Sequence, residues 1–159
     1  MRAFSLVLWI VLCQGVGLVG VRWTAPEIPT WYRSLRKPSF NPPGWIFGPV
    51  WTLLYLLMAG AAWLIAGSDS SPKRSIALAL FVVQLSLNFA WTWFFFRRHA
   101  LRAAFAEIIL MWLAIAATIA AFARISPLAA GLLVPYWVWV TFASLLNGAI
   151  AWLNPRPPA

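Results

Sequence analysis

Five long apolar segments, separated by shorter polar connections, dominate the pattern of hydrophobic and polar positions. They cover residues 4–21, 45–66, 75–96, 101–123 and 127–153. Each is close to the ~20 residues that an α-helix needs to cross the hydrocarbon core of a bilayer. All connections but the first are short, so neighbouring helices are expected to run antiparallel. The pattern predicts an all-α integral membrane protein, a single bundle of five transmembrane helices forming one domain over residues 1–159.

Composition agrees with this prediction. Hydrophobic residues make up 63% of the chain and charged residues only 9%, and the mean hydropathy is +0.82. Soluble domains have a much more polar composition. The first segment could be mistaken for a secretion signal, but the large residues Ile10, Val11 and Leu12 before Cys13 fit neither a cleavage site nor a lipobox. We therefore expect this segment to be a retained helix.

The net charge of +9 comes from 12 Lys or Arg residues and three acids. In a soluble domain such a charge would indicate nucleic acid. Here the cations cluster at the segment ends, as the positive-inside rule and lipid headgroups require, so we expect no nucleic-acid partner. Four basic residues fall on one side of the membrane: Arg2, Lys73, Arg74 and Arg124. Eight fall on the other: Arg22, Arg33, Arg36, Lys37, Arg97, Arg98, Arg102 and Arg156. This count predicts a cytoplasmic first loop and C-terminus and an outside N-terminus, in a bacterial cell membrane.

The first loop, residues 22–44, is the one long connection and is rich in aromatic residues and prolines. Long loops in compact proteins are usually functional or disordered, and the aromatic content argues against disorder. Pro29 and Thr30 can start a short helix that ends near Lys37, because Pro38 disfavours helical geometry in the residue before it. Aromatic rings on a stiff backbone cost little entropy to order, so this loop is suited to capturing a flat apolar ligand.

The chain offers few residues for metal binding or acid–base chemistry. It has one cysteine and one histidine, Cys13 and His99, and its acids are Glu27, Asp69 and Glu107. These residues are too few and too scattered for a metal site or a hydrolytic triad. We expect no metal and no cofactor, and a packing role for Cys13.

Glu107 lies within the fourth segment, where an ionisable group is a functional hypothesis by default. We expect it instead to pair with Arg98 or Arg102 at the same end of the segment. Gly15, Gly17 and Gly20 match the pattern of a dinucleotide fingerprint, but they lie inside an apolar segment with no preceding strand. Close helix packing is the favoured interpretation for them.

Trp51 and Tyr55 are four residues apart and share a helix face directly after the proline-rich loop. Most tryptophans in membrane proteins anchor the chain at the interface. Trp51 follows Trp45 and Pro49 closely enough to lie beneath the interface, so we predict that it lines a pocket. The glycines at the start of this segment, Gly44 and Gly48, are expected to allow close helix packing.

Amide side chains mark two further helix faces. Gln84, Asn88 and Trp91 form a stripe on the third segment, where the amides could either bridge helices or contact a ligand. On the fifth segment, small Ala143 leaves a hollow beside Trp139. A hollow of this kind, with Leu146 and Asn147 on the same face, is what a bound ring would need.

The chain resembles the TspO/MBR family over nearly its whole length, and three stretches carry the resemblance. WYRSLRKPSFNPPGWIFGPVWTLLY at residues 31–55 resembles the family's W-Y-x-x-L-x-K-P-x-x-x-P-P signature and the helix start after it. QLSLNFAWTWFFF at residues 84–96 resembles its third helix, and PYWVWVTFASLLN at residues 135–147 its fifth.

The resemblance implies a five-helix bundle, often a homodimer, that binds tetrapyrroles such as protoporphyrin IX. It also implies sterol ligands in some members and isoquinoline or benzodiazepine-type drugs. Carried over by position, the family pocket would comprise Tyr32, Pro42, Pro43, Trp51, Asn88, Trp91, Trp139, Ala143 and Leu146. The sequence departs from the family's steroid-recognition segment, because residues 148–152 read GAIAW where that segment has a tyrosine and an arginine. This departure argues against cholesterol recognition there.

Three functions follow as hypotheses. The first is a membrane receptor or transporter-like protein that binds porphyrins between Trp51 and Trp139, with a hydrogen bond from Asn88 and with Arg33, Arg36 or Lys37 meeting the propionates. The second is light- and oxygen-dependent porphyrin breakdown, as associated with some bacterial relatives, with Trp51 and Trp139 as the candidate redox residues. The third is a sterol- or lipid-binding scaffold of the bilayer.

Overall fold

The computed structural model describes residues 2–155, and within that range the regular structure is entirely helical. The helices are α1 (Arg2–Glu27), α2 (Trp31–Ser34), α3 (Phe47–Ala66), α4 (Pro72–Thr92), α5 (Leu101–Ala123) and α6 (Pro127–Leu153). A 3-10 turn, Gly44–Ile46, leads into α3, and a π-helical turn, Trp93–Arg97, continues α4. Arg156, which the charge count placed with the first loop, lies outside the described residues.

Five of these helices are long and apolar enough to cross a membrane, namely α1 and α3 to α6 with their terminal turns. The predicted five-helix integral membrane bundle is therefore confirmed. The bounds of α5 and α6 agree with the segments 101–123 and 127–153. The other helices differ from the prediction at their ends, for reasons that are local.

Helix α1 continues past the predicted end at residue 21 to Glu27. Arg22 ends the apolar run without ending the backbone hydrogen bonding, and the Ile28 amide still donates to the Thr24 carbonyl at 3.1 Å. Pro26 lies in the last turn and removes one backbone donor, yet the helix continues to Glu27. The first loop, as the structure has it, is therefore residues 28–43.

Helix α4 starts at Pro72 instead of residue 75 because Ser71 caps it. The Ser71 hydroxyl accepts a hydrogen bond from the Arg74 amide at 3.2 Å, and proline at the first helical position has no N–H to leave unpaired. Ser126 and Pro127 start α6 in the same way.

The helices pack into one bundle in which α5 lies against α4 and α6, and α3 lies against α1 and α6. One apolar core runs through the spans, around Met58, Phe81 and Tyr136. A second core, which we call the loop-side cluster, lies at the end of the bundle that the first loop covers. Its buried members are Trp31, Leu35, Phe95, Phe96, Leu101, Ala104, Leu146, Ile150 and Ala151. This cluster attaches α2 to the ends of α4 and α6.

Candidate functional site

A cavity of about 450 Å³ lies beneath the first loop. Its lining comes from α1, α2, the 3-10 turn, α3, the end of α4 and α6. The volume falls within the range of ~300–1,000 Å³ typical of small-molecule sites. Most of the lining is aromatic, aliphatic or glycine, so the cavity suits an apolar guest.

The structure brings seven of the nine residues of the expected pocket into this lining. They are Tyr32, Trp51, Asn88, Trp91, Trp139, Ala143 and Leu146. Pro42 and Pro43 are not among the lining residues. Their carbonyls instead hold the loop, since the Asn41 side-chain amide donates to Pro42 O at 3.1 Å and the Ile46 amide donates to Pro43 O at 3.1 Å.

Asn88 lines the cavity and also ties three helices together. The Tyr55 hydroxyl donates to Asn88 Oδ1 at 2.6 Å, and Asn88 Nδ2 donates to the Tyr136 hydroxyl at 3.0 Å. The Tyr136 hydroxyl in turn lies 3.5 Å from Met111 Sδ on α5. Both polar atoms of the amide thus have protein partners, and the helix-bridging alternative from the sequence holds for this residue.

Trp91 and Asn147 form a second polar bridge. Trp91 Nε1 donates to Asn147 Oδ1 at 3.0 Å, and Asn147 Nδ2 donates to the Leu101 carbonyl at 3.2 Å. Gln84, one turn before Asn88, is fully buried outside the cavity, and its side-chain amide has no hydrogen-bond partner. Of the three residues on this helix face, Asn88 and Trp91 therefore line the cavity and Gln84 does not.

The two tryptophans singled out from the sequence are held by other rings. Trp51 lies 5.6 Å from Tyr55 and 6.2 Å from Tyr136, measured between ring centroids. Trp139 contacts Phe47 at 6.0 Å, edge to face, and its Nε1 is buried with no hydrogen-bond partner. The Trp139 ring thus lines the cavity while its indole nitrogen is enclosed by protein.

The π-helical turn at the end of α4 adds lining residues that the sequence analysis did not identify. The Arg98 amide donates to the Trp93 carbonyl at 3.0 Å, five residues back, and this wider turn reorients the chain. Phe95 and Phe96 then line the cavity, and both contact the Tyr32 ring, at 6.2 and 6.0 Å. A π-turn leaves no clear signal in the sequence, although the run of aromatic residues 93–96 indicates an aromatic surface.

The glycines play two different roles. A Cβ at Gly17 would lie 2.5 Å from Tyr55 Cε2, so this position requires glycine for the approach of α1 to α3. The packing interpretation is therefore supported at Gly17. It is wrong at Gly15, Gly44 and Gly48, where nothing lies within 4 Å of an added Cβ. Gly44 and Gly48 line the cavity on an exposed side, next to the 75%-exposed Trp45.

The first loop is fixed by its own polar contacts. Lys37 Nζ donates to the carbonyls of Tyr32, Arg33 and Leu35 at 2.6, 3.2 and 2.9 Å, and it also lies 4.8 Å from the centre of the Tyr32 ring. Burial lowers the pKa of Lys37. Burial also raises the pKa of Tyr32 to about 12, so its hydroxyl stays protonated and donates to Asn41 Oδ1 at 2.8 Å.

The C-terminal end of α6 holds the loop from the other side. Asn154 Oδ1 accepts from the Arg36 amide at 3.0 Å, and Asn154 Nδ2 donates to the Arg36 carbonyl at 2.8 Å. This two-point contact joins residues 118 positions apart. Nothing in the local sequence around either residue indicates it.

Glu107 does not pair with Arg98 or Arg102, so that prediction is wrong. Its side chain is buried, and neither carboxyl oxygen has a hydrogen-bond partner. The ion pair found among residues 2–155 is His99 with Glu27. The Arg98 guanidinium lies over the Trp93 ring instead, 5.2 Å from its centre.

Comparison with known proteins gives one consistent result. The sequence profile of the TspO/MBR family matches residues 9–153. The tryptophan-rich protein TspO of Chlorobaculum tepidum is 42% identical over 97% of this chain and 98% of its own length. The protein of the same name from Archaeoglobus fulgidus is 40% identical over 97% and 99%. The human translocator protein is 40% identical over 81% of this chain and 78% of its own length.

Proposed function

Because the chain belongs to the TspO/MBR family, we propose that it binds a flat apolar ring system, a tetrapyrrole such as protoporphyrin IX, in the cavity beneath the first loop. One observation carries the proposal: seven side chains selected from the sequence converge on a single apolar cavity. Binding there makes the protein a membrane receptor or transporter-like protein for tetrapyrroles.

The apolar contacts come from both sides of the cavity. Trp51 on α3 and Trp139 on α6 offer ring surfaces, and Ala143 leaves space beside Trp139. Aromatic pairs in offset or edge-to-face contact contribute ~0.5–1.5 kcal/mol beyond the burial of their area. A macrocycle that contacts both indoles gains this twice, and it covers apolar area that is otherwise open at Gly44 and Gly48.

The guest is expected to make mainly apolar contacts. Trp139 Nε1 has no hydrogen-bond partner, but the atom is buried, so it offers no surface to a guest. Both polar atoms of Asn88 already bond to tyrosine hydroxyls.

The propionates of a porphyrin would meet Arg33 and Arg36. Both side chains are exposed on the first loop, and guanidinium pairs well with carboxylate. Lys37 belongs to the loop's own structure, since its ammonium already donates to three carbonyls. We therefore assign anion recognition to the two arginines.

The experiment is a titration of the purified protein with protoporphyrin IX in lipid nanodiscs, followed by the porphyrin's absorbance. The double variant Trp51→Phe with Trp139→Phe replaces both indoles by smaller rings. We expect about tenfold weaker binding, from reduced ring contact at two positions. Trp112→Phe with Trp152→Phe is the matched control, because neither residue lines the cavity.

Double and control variants that both titrate like the parent would show that the cavity is not the binding site. Parallel titrations with a sterol and with an isoquinoline-type ligand decide between ligand classes. The same samples kept in light and in darkness test the second function, because Trp51 and Trp139 both line the cavity that would hold the porphyrin. A product that appears only with protein and light would assign porphyrin breakdown to this chain.

We also propose the orientation and the assembly. The basic residues of the first loop and of the α4–α5 connection gather at one end of the bundle, which favours a cytoplasmic position for that end.

Exposed apolar side chains on α4, such as Val82 and Val83, form a face that would be covered by lipid or, in a homodimer, by a second copy of the chain. Cysteine labelling from each side of the membrane tests the orientation, and cross-linking in the bilayer tests the dimer.

A further inference from the structure

Three side chains from separate segments meet at the loop-side end of the bundle, next to the cavity but outside its lining. Glu27 ends α1, Trp31 begins α2 and His99 lies in the connection between the π-turn and α5. His99 Nε2 lies 3.0 Å from Glu27 Oε2. The His99 ring also stacks on Trp31, with centroids 3.9 Å apart and planes 8° apart.

The backbone at His99 is in the left-handed region, with φ of 51°. This is uncommon for a residue other than glycine and persists only where the surroundings hold it. Two hydrogen bonds do so: Ala100 N donates to Phe94 O at 3.0 Å, and Leu101 N donates to His99 O at 3.2 Å. The connection therefore places the imidazole between the carboxylate and the indole.

This contact lies at the start of the short segment that covers the cavity. Trp31 is buried in the loop-side cluster, and the next residue, Tyr32, lines the cavity. The Asn154 contact to Arg36 holds the far end of the same short segment. Moving α2 away from the cavity would therefore require the stack on His99 to break.

We propose that Glu27 and His99 form a pH-dependent latch that holds α2 over the cavity and slows ligand exchange in acid. This inference rests on the proposed function. A neutral imidazole makes an ordinary hydrogen bond to the Glu27 carboxylate. A protonated imidazole makes a charge-assisted hydrogen bond and places a cation over the Trp31 face, and both interactions are stronger. Histidine changes charge between about pH 5 and 8, so acid strengthens the latch.

Among residues 2–155, the other charged groups near His99 are cations. Arg97 and Arg98 precede it, Arg102 lines a small surface cavity with it, and Arg36 is held beside that cavity by Asn154. On α2 the cations are Arg33 and Lys37. Glu27 is the acid that faces His99, because Asp69 lies in the connection between α3 and α4 and Glu107 is buried within α5. Among the described residues, the Glu27 carboxylate is thus the negative charge that faces His99.

The test uses the full chain in nanodiscs and two readouts. The first is the dissociation rate of protoporphyrin IX dimethyl ester, a probe without propionate groups to titrate. We expect the parent's rate to fall about two- to fivefold between about pH 8 and about pH 5.5, as for a partly exposed ion pair. The rate in His99→Gln, which keeps a neutral donor, should not change with pH. Glu27→Gln removes the ion pair and keeps the imidazole stack on Trp31, so its rate should fall less than the parent's. Asp69→Asn is the matched control and should behave like the parent.

The second readout needs no ligand. Hydrogen-exchange protection of the Ser34 and Arg36 amides, corrected for intrinsic exchange, should rise at acid pH in the parent, rise less in Glu27→Gln and stay constant in His99→Gln. Equal pH dependence of protection in the parent and in His99→Gln would overturn the latch. Absence of ester binding at every pH would count against the proposed function, and the exchange data would still decide the latch.

Discussion

The substitution Asn88→Ala tests whether the polar bridge between α3, α4 and α6 stabilises the bundle. In the parent the Asn88 amide accepts from Tyr55 at 2.6 Å and donates to Tyr136 at 3.0 Å. Alanine leaves the Tyr55 hydroxyl without its acceptor and the Tyr136 oxygen without its donor. Tyr136 keeps the Met111 sulfur, which is a weak acceptor, at 3.5 Å.

The magnitude follows from two hydrogen bonds inside a membrane. Such bonds average ~0.6 kcal/mol and reach ~1.7 kcal/mol in double-mutant cycles. Two of them give about 1–3 kcal/mol, which lowers the unfolding temperature of a chain of this size by roughly 2–12 °C. Tyr55→Phe removes one of the two bonds, so we expect about half of this decrease. Asn88→Ala should then cost less in the Tyr55→Phe background than in the parent, because the shared bond is already gone.

Thermal unfolding in nanodiscs, followed by circular dichroism, measures these differences. Ser86→Ala is the control on the same helix, since the exposed Ser86 hydroxyl donates only to the Val82 carbonyl one turn away. Two results would refute the reasoning. One is an Asn88→Ala protein that unfolds within about one degree of the parent. The other is strict additivity of Asn88→Ala and Tyr55→Phe.

The remaining predictions separate glycines and cations by role. Gly48→Leu places a side chain in open space along the cavity, so porphyrin titration should show at least about tenfold weaker binding with an unchanged unfolding temperature. Gly17→Ala places a Cβ 2.5 Å from a Tyr55 ring atom, so thermal unfolding should show a loss of about 1–3 kcal/mol. Lys37→Met removes three hydrogen bonds from the first loop, so hydrogen exchange in α2 should accelerate while the unfolding temperature of the spans changes little.

Two helix starts follow a serine–proline pair, a capping pattern that the hydropathy of the segments does not use. Ser126 followed by Pro127 starts α6 where the sequence analysis placed it. Ser71 followed by Pro72 has the same chemistry and starts α4, although the polar residues around it resemble a connection. The apolar run alone fails at the end of α1, because Arg22 marks the edge of the hydrocarbon region and the backbone continues as a helix to Glu27. The hydropathy of a segment indicates which of its residues can lie in the membrane, whereas backbone hydrogen bonding determines where the helix ends.

The cavity lining could be predicted where one helix face determines it. Asn88 and Trp91, or Trp139 and Ala143, share a face by spacing alone, and each pair lines the cavity. Contacts between distant segments gave no such signal. Arg98 and Arg102 were expected to pair with Glu107 because they lie at the same end of the segment, but the carboxyl is buried and neither oxygen has a hydrogen-bond partner.

The cations of the first loop look equivalent in the sequence and differ in the structure. The Lys37 ammonium ends α2 by donating to its last carbonyls, so its charge is used within the loop. Arg36 is held through its backbone by Asn154, which leaves its guanidinium exposed, and the Arg33 side chain is exposed as well. Neutralising Lys37 should therefore change the order of the loop, while neutralising Arg33 or Arg36 should change the affinity for a carboxylate-bearing porphyrin and not for its ester. The loop's charge thus divides into a structural part and a part available to a guest.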